Sequence, residues 1–212
     1  MPKSPRKIAV IISGGAFWEI IYSLLHMEIK GYMRSPITID TDGDEHSRSV
    51  ETQISRLPLE PLENIKATGI DALIIPGGNA LFNTLCDFEK VGNAFKVNDV
   101  FKTLVKGIYR LGKPIGTFGP ASLPVVKSLQ GIAGTSLVVT VGNDPRLQSG
   151  VGSAGGQAVV TRPGEVVLDE ENRIVSTGGE FATRRPTEVF EACENLIKGL
   201  DEFIKGRKHE KY

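Results

Sequence analysis

The chain has 212 residues and a mass of 22.9 kDa, a length typical of one α/β domain, so we expect residues 1–212 to form a single domain. Apolar residues make up 40% of the chain and charged residues 24%, which is the composition of a folded globular protein and excludes disorder as its main state. The 25 basic residues balance the 25 acidic residues, and this zero net charge argues against a nucleic-acid or membrane-surface partner.

Short apolar strands alternate with helices through the first half of the chain. Predicted strands lie at 8–12, 36–40, 72–75 and 113–116. Apolar residues at helical spacing predict helices at 17–31, 81–88 and 100–111, whereas residues 48–70 favour neither type. Strands that alternate with helices in this way form a parallel sheet covered on both faces, so we predict a doubly wound α/β fold.

The second half of the chain has a different pattern. Four short apolar runs, separated by turn-forming residues, lie at 137–140, 157–161, 166–168 and 174–176. They predict at least one small β-hairpin in the C-terminal half of the chain. A final helix is predicted at 187–205, where a stripe of apolar residues that includes Cys193 should pack on the sheet.

The two cysteines, Cys86 and Cys193, argue against a metal centre and a disulfide framework. They form no Cys-x-x-Cys pair, and neither has a nearby histidine. We therefore expect no metal and no other cofactor. No apolar stretch reaches the roughly 18 residues of a membrane span, and the first apolar run is too short for a signal peptide. These features predict a cytoplasmic protein with no membrane partner.

Three glycine-containing turns are predicted to meet at one edge of the sheet, because ligands of open α/β sheets bind beyond the carboxyl ends of the strands. Residues expected to line a pocket there are Ser13, Gly14, Gly15, Thr117, Phe118 and Pro120. Gly77 and Gly78 lie between a strand and a helix, and two roles are open for this pair of glycines. They would hold a bound anion or a developing oxyanion, or they would only turn the chain.

Glu19 is the candidate acid or base. It lies in the first turns of the first helix, where the ordinary role of a carboxylate is to stabilise the helix dipole. Its neighbours Phe17 and Trp18 suggest a second role, because partial desolvation beside them would raise the pKa of Glu19 to a range suited to proton transfer.

Other common catalytic patterns are missing or incomplete. Residues 13–19 lack the third glycine of a dinucleotide-binding turn, which leaves a nucleotide site, with Asp40 and Asp42 near a ribose, as a weaker alternative. No Gly-x-Ser-x-Gly nucleophile elbow occurs. The three histidines lie in the first helix, a polar loop and the tail, so no catalytic triad is predicted.

Five features, in order along the chain, resemble one known family. They are Ile-Ile-Ser-Gly at 11–14, Glu19, Asp-Ala-Leu-Ile-Ile-Pro-Gly-Gly at 71–78, Gly-Lys-Pro-Ile-Gly at 112–116 and Val-Leu-Asp-Glu-Glu-Asn-Arg-Ile-Val-Ser-Thr at 167–177. Together they make the chain similar to the ThiJ/PfpI superfamily, of class I glutamine amidotransferase-like fold, and within it to the ElbB-like branch. The resemblance implies a flavodoxin-like sandwich and a homodimer.

The resemblance also implies an active site built from a helix glutamate, a Gly-Gly loop and a cysteine on the turn after the Gly-Lys-Pro strand. Glu19 matches the glutamate, and Gly77 and Gly78 match the backbone oxyanion loop. Gly119 falls at the position of the cysteine, so the nucleophilic thiol of the family is missing from this sequence.

Substitutes for the missing thiol are weak. Cys86 lies in the helix after the Gly-Gly loop, where we expect it to be a buried small hydrophobic residue. Thr117 or Ser122 would act as a hydroxyl nucleophile only with a base beside it, and Glu19 is the one candidate.

Three functions follow as alternatives. The first is a non-catalytic protein that lacks the elbow cysteine and binds a small metabolite or acts as a regulator. The second is a glyoxalase- or hydrolase-like enzyme that acts on small carbonyl compounds with Glu19 as general base. The third is a structural subunit in which only the dimer surface matters. The missing thiol favours the first.

Overall fold

The computed structural model describes residues 5–12, 16–38 and 59–206. The strands in these ranges are β1 (Lys7–Ile12), β2 (Met33–Thr38), β3 (Glu60–Pro61), β4 (Ala72–Ile75), β5 (Ile115–Phe118), β6 (Val138–Val139), β7 (Gln157–Ala158), β8 (Val166–Asp169) and β9 (Ile174–Thr177). Seven of them form one sheet in the order β3-β2-β1-β4-β5-β9-β8, and β6 and β7 form a second, small sheet. All neighbours in the large sheet run parallel except β8 and β9, which form an antiparallel hairpin.

Helices cover both faces of the large sheet. They are α1 (Phe17–Ile29), α2 (Leu81–Thr84), α3 (Phe88–Val91), α4 (Asp99–Arg110), α5 (Ser122–Leu129), α6 (Pro145–Ser153) and α7 (Pro186–Lys205). Short 3-10 turns at Gly119–Ala121 and Gly179–Phe181 follow β5 and β9. In the described part of the chain, no helix is long and apolar enough to cross a membrane.

The period-two alternation of β1 separates two apolar cores. Ile8, Val10 and Ile12 face the core formed with α1 and α7, whereas Ala9 and Ile11 face the core formed with α4, α5 and α6. The strands at the centre of the sheet are therefore apolar on both faces, as buried parallel strands are. This architecture confirms the predicted doubly wound α/β fold with a small hairpin region.

Several predicted boundaries were wrong. The apolar run at 81–88 forms two short helices because the chain turns at Cys86 and Asp87, and Cys86 forms an isolated bridge with Val97. The runs at 137–140 and 157–161 pair over only two residues each, in parallel. Helices α5 and α6 were not predicted. The polar loop after the second strand, with Asp40 and Asp42, lies outside the described residues.

Candidate functional site

Turns at the carboxyl ends of three neighbouring strands contact one another. A Cβ added at Gly77, after β4, would lie 3.0 Å from Phe118 O and 3.3 Å from Pro120 Cδ, both at the end of β5. A Cβ added at Gly119 would lie 3.1 Å from Gly178 O, after β9. The strand order therefore brings these turns to one edge of the sheet. The corresponding turn after β1, with Ser13, Gly14 and Gly15, lies outside the described residues.

Glu19 joins two of these turns from the first turn of α1. Its side chain is fully buried. Gly77 N–H donates to Glu19 Oε2 at 2.6 Å, and Glu180 N–H donates to Glu19 Oε1 at 2.8 Å. The carboxyl group thus links the turn after β4 to the turn after β9, and Gly77 N–H is used by Glu19. This leaves Gly78, where φ is +100°, as the predicted backbone donor that lines open space.

The environment of Glu19 favours its protonated form. Burial raises the pKa of Glu19 from 4.5 to about 8, and the N–H donors of Glu180 and Gly77 offset part of that rise. The negative charge of the Glu180 carboxylate raises it further. At neutral pH most Glu19 carboxyls therefore hold a proton.

Gly179 makes the close approach to Glu19 feasible. Its φ is +53°, and a Cβ added there would overlap Glu19 Oε1 and lie 3.0 Å from Phe118 Cδ1. Only glycine satisfies both the left-handed backbone and this contact. Gly179 was not among the predicted site residues, although the pattern of an apolar strand followed by Gly-Gly occurs here after β9 as it does after β4.

Glu180 was also missed, and it connects Glu19 to open space. Its backbone N–H is bound to Glu19, while its side-chain Oε1 accepts the backbone N–H of Trp18 at 3.2 Å. Burial raises the pKa of the half-buried Glu180 carboxyl, and the N–H donors lower it in part. No sequence pattern links these residues, because the contact spans 162 positions of the chain.

A cavity of about 780 Å³ opens beside this pair of glutamates. It is lined by Trp18, Gly78, Asn79, Glu180, Phe181, Ala182, Thr183, Arg184, Pro186 and Val189. Its wall combines aromatic and apolar surface with one carboxylate and one guanidinium. Glu19 is buried and does not line the cavity, whereas its chain neighbour Trp18 and its partner Glu180 do.

Three predicted pocket-lining residues lie in the interior instead of on the wall of this cavity. Thr117, Phe118 and Pro120 are buried, because β5 is a central strand and the turn after it is covered by the segment that follows β9. Gly119 has φ +46°, so it forms the sharp turn expected at this position. The space in front of its Cα is filled, since an added Cβ would lie 3.1 Å from Gly178 O and 3.2 Å from Phe181 Cβ.

The candidate substitutes for the thiol, Cys86, Thr117 and Ser122, form no hydrogen bond with the Glu19 side chain among the described residues. Cys86 is buried, and burial raises the pKa of its thiol to about 11, which disfavours the reactive thiolate. Ser122 Oγ bonds Thr117 Oγ1 at 2.8 Å and donates to Thr140 O at 3.0 Å. These hydroxyls are therefore bound within a buried network among strand and helix residues, away from the Glu19 carboxyl.

No protein-family profile matches the chain. The mitochondrial ES1 protein of Danio rerio is 25% identical over 208 residues, which cover 80% of this chain and 75% of that protein. An isoprenoid biosynthesis protein with an amidotransferase-like domain from Ehrlichia chaffeensis superposes with a TM-score of 0.80 and 21% identity, over 93% of this chain and 99% of that chain. Glyoxalase III from Candida albicans superposes with a TM-score of 0.62 and 10% identity, over 92% of this chain and 97% of that chain.

Other solved structures with the same fold are DJ-1, ThiJ or PfpI-like proteins. At these levels of identity the likeness is one of fold. It confirms the predicted flavodoxin-like, amidotransferase-like architecture.

Proposed function

We propose that this protein belongs to the ElbB-like branch of the ThiJ/PfpI superfamily and binds a small metabolite in the cavity without forming a covalent bond to it. The observation that carries the proposal is that a glycine, Gly119, stands at the position expected for the cysteine. The position expected for a nucleophile has no side chain, and a Cβ added there would lie only 3.1 Å from Gly178 O and 3.2 Å from Phe181 Cβ. The similarity to the zebrafish and Ehrlichia proteins supports the family assignment.

The wall of the cavity supports binding without covalent chemistry. Its described residues include no cysteine, serine, lysine or histidine. Thr183 has the one hydroxyl, and it donates to Glu188 and accepts Arg185 N–H at 3.1 Å at the start of α7. The hydroxyl is therefore held within the turn that precedes α7 and has a structural role. The other side chains of the wall are suited to binding a ligand without forming a covalent bond to it.

Asn79→Phe tests the site of binding. Asn79 is exposed and lines the cavity, so a phenyl ring there should block ligand entry without disturbing the core. Asn83→Phe is the matched control, because Asn83 is also exposed but does not line the cavity. A metabolite panel screened by thermal shift should give hits whose affinity falls in the first variant only. Equal affinities in both variants would place binding elsewhere.

Intact-mass spectrometry tests the absence of a covalent bond. The protein is incubated with methylglyoxal, a small carbonyl compound, and then with borohydride to trap any adduct. Adducts on exposed lysines and arginines should form equally in the parent protein and in Asn79→Phe, and they serve as the internal reference. An adduct that forms in the parent protein only would contradict the proposal.

The raised pKa of Glu19 favours a second function, a glyoxalase- or hydrolase-like enzyme that uses this carboxyl for proton transfer. A pKa of about 8 lies close to neutral pH, where a general acid or base is most effective. Glutathione-free consumption of methylglyoxal is the assay. Turnover by the parent protein would overturn the non-catalytic function, and a fall of kcat in Glu19→Gln at saturating methylglyoxal would assign proton transfer to Glu19. If neither protein turns over methylglyoxal, this second function is removed.

A homodimer formed through the outer face of α1 is part of the proposal. Leu25 and Ile29 of α1 are exposed, and Ile29 is 67% exposed. The helix also buries Ile20 and Leu24 on its inner face, so it is apolar on two sides. A second copy of the chain would cover this surface.

A cytoplasmic location stays a prediction, and the zebrafish relative is by its name a mitochondrial protein.

A further inference from the structure

Within the described part of the chain, the Glu180 carboxylate on the wall of the cavity has no cationic partner. Its backbone N–H is fixed by Glu19 and its Oε1 accepts Trp18 N–H, so both the backbone and the side chain are held in place. Among residues 5–12, 16–38 and 59–206, no lysine or arginine forms an ion pair with it. A half-buried carboxylate that lacks a counter-charge gains free energy when a cation binds beside it.

Trp18 places an aromatic ring on the same wall. Its ring packs on Tyr22 in a stacked arrangement, with centroids 5.3 Å apart, and against the edge of Phe17 at 5.4 Å. The side chain is nevertheless 42% exposed. The backbone N–H of Trp18 donates to the Glu180 carboxylate, so the residue that carries the indole is held beside this carboxylate, and both residues line the cavity. An indole ring beside a carboxylate is the combination that recognises organic ammonium groups.

The other charged groups near the cavity do not cancel the field of Glu180. Glu19 is mostly protonated at neutral pH because burial raises its pKa to about 8. Arg184 also lines the cavity, but it is exposed and forms no ion pair with Glu180 among the described residues. Water and salt screen the charge of an exposed guanidinium more strongly than that of a half-buried carboxylate. A bound anion would face Glu180 directly, and a neutral ligand would leave it unpaired.

We infer that the ligand of this cavity carries a positively charged amine, an alkylammonium or quaternary ammonium group, which pairs with the Glu180 carboxylate and contacts the Trp18 indole. This inference rests on the proposed function, since it gives the chemical class of the ligand for the same cavity. It also gives Glu180 a binding role in addition to its contact with the N-terminus of α1.

Trp18 is the one tryptophan of the chain, so its fluorescence reports on the cavity without labelling. The probes are choline and its neutral analogue 3,3-dimethylbutan-1-ol, and n-butylammonium with n-butanol and butyrate, all at pH 7 and constant ionic strength. We expect the two cations to change the emission saturably, with dissociation constants of about 1 mM or lower. The alcohols and butyrate should bind about tenfold more weakly or not at all.

Glu180→Gln keeps an oxygen for Trp18 N–H and removes the charge, so it should weaken choline binding by about tenfold or more. Glu171→Gln is the matched control, because it removes an exposed carboxylate that does not line the cavity, and it should leave choline binding unchanged. Equal affinities for choline and its neutral analogue, or no loss in Glu180→Gln, would overturn the inference.

The outcomes also separate this inference from the proposed function. If butyrate or an alcohol binds in the cavity and the cations do not, the amine inference fails while the small-molecule function stands. If no probe binds and the thermal-shift panel also gives no hit sensitive to Asn79→Phe, both fail.

Discussion

Replacing Glu19 with glutamine should remove a large part of the pH dependence of stability. Folding raises the pKa of Glu19 from 4.5 to about 8, so the native state holds a proton that the unfolded chain releases in this interval. The resulting contribution to the free energy of unfolding is full below pH 4.5 and is lost as the pH rises to 8. At about 1.4 kcal/mol for each pH unit, roughly 5 kcal/mol is lost across the interval.

The Glu19→Gln variant should be less stable than the parent at acidic pH, and its stability should fall less than that of the parent as the pH rises. An amide has one acceptor oxygen, so one of the two backbone N–H groups at Gly77 and Glu180 would lose its partner, at a cost of about 1–3 kcal/mol near pH 5. The variant carries no titrating group at this position. The difference between parent and variant should therefore shrink, and then reverse, between pH 5 and pH 8.

Urea unfolding, followed by the emission of Trp18, measures the free energy of unfolding of the parent and the variant at about pH 5, 6, 7 and 8. Glu28→Gln is the control, because Glu28 lies on the same helix and is exposed, and its profile should follow that of the parent. Titrating groups that do not interact with Glu19, such as His26, contribute equally to all three proteins and cancel in the differences. Parallel profiles for Glu19→Gln and the parent would refute the reasoning, because they would mean that Glu19 titrates alike in the folded and unfolded states.

Three further predictions concern the turns and the surface of α1. Gly179→Ala should destabilise the fold by several kcal/mol in urea unfolding, because its Cβ overlaps the buried carboxyl, whereas Gly131→Ala, also at positive φ but with open space around it, should cost only about 1 kcal/mol. Gly119→Cys should lower stability by about 1–2 kcal/mol and give no methylglyoxal turnover, since its side chain is crowded; a gain of activity would show that the site lacks only the thiol. Leu25→Lys should convert a dimer to a monomer in light scattering, while Val91→Lys, at another exposed apolar position, should not; a dimer that persists in both would exclude the outer face of α1.

Local patterns predicted β1 and β4 well because each lies between strong boundaries, whereas the strand predicted at 113–116 lies at Ile115–Phe118. The strand at 72–75 has the predicted limits, since four apolar residues are flanked by Asp71 and by Pro76, which cannot donate a backbone hydrogen bond. Helix α5 was missed because Pro124 lies inside it. That proline occupies the third helical position, where its missing N–H is not needed.

The candidate site was only partly predictable for a different reason. Glu19 was found because a carboxylate at the start of a helix beside a strand end is a local feature. Its partners Gly179 and Glu180 are about 160 positions away, and only the placement of β9 next to β5 brings them to Glu19. Gly77, a predicted oxyanion donor, lies in the turn after β4, but its N–H binds the side chain of Glu19. A sequence alone does not show which acceptor a backbone N–H will meet.

The geometry of Glu19 explains why a carboxyl group suits this position without any catalytic role. Two backbone N–H groups, from turns at the ends of β4 and β9, point at one side chain, and a carboxyl offers an acceptor oxygen to each. Ionising the group in the interior is costly, and protonation at neutral pH removes that cost. Glu19 is therefore first a cross-link between turns, and through the N–H of Glu180 it fixes the residue that faces the cavity. On this reasoning Glu19→Gln should weaken ligand binding only indirectly, by loosening Glu180, whereas Glu180→Gln should weaken it directly while the fold keeps its stability.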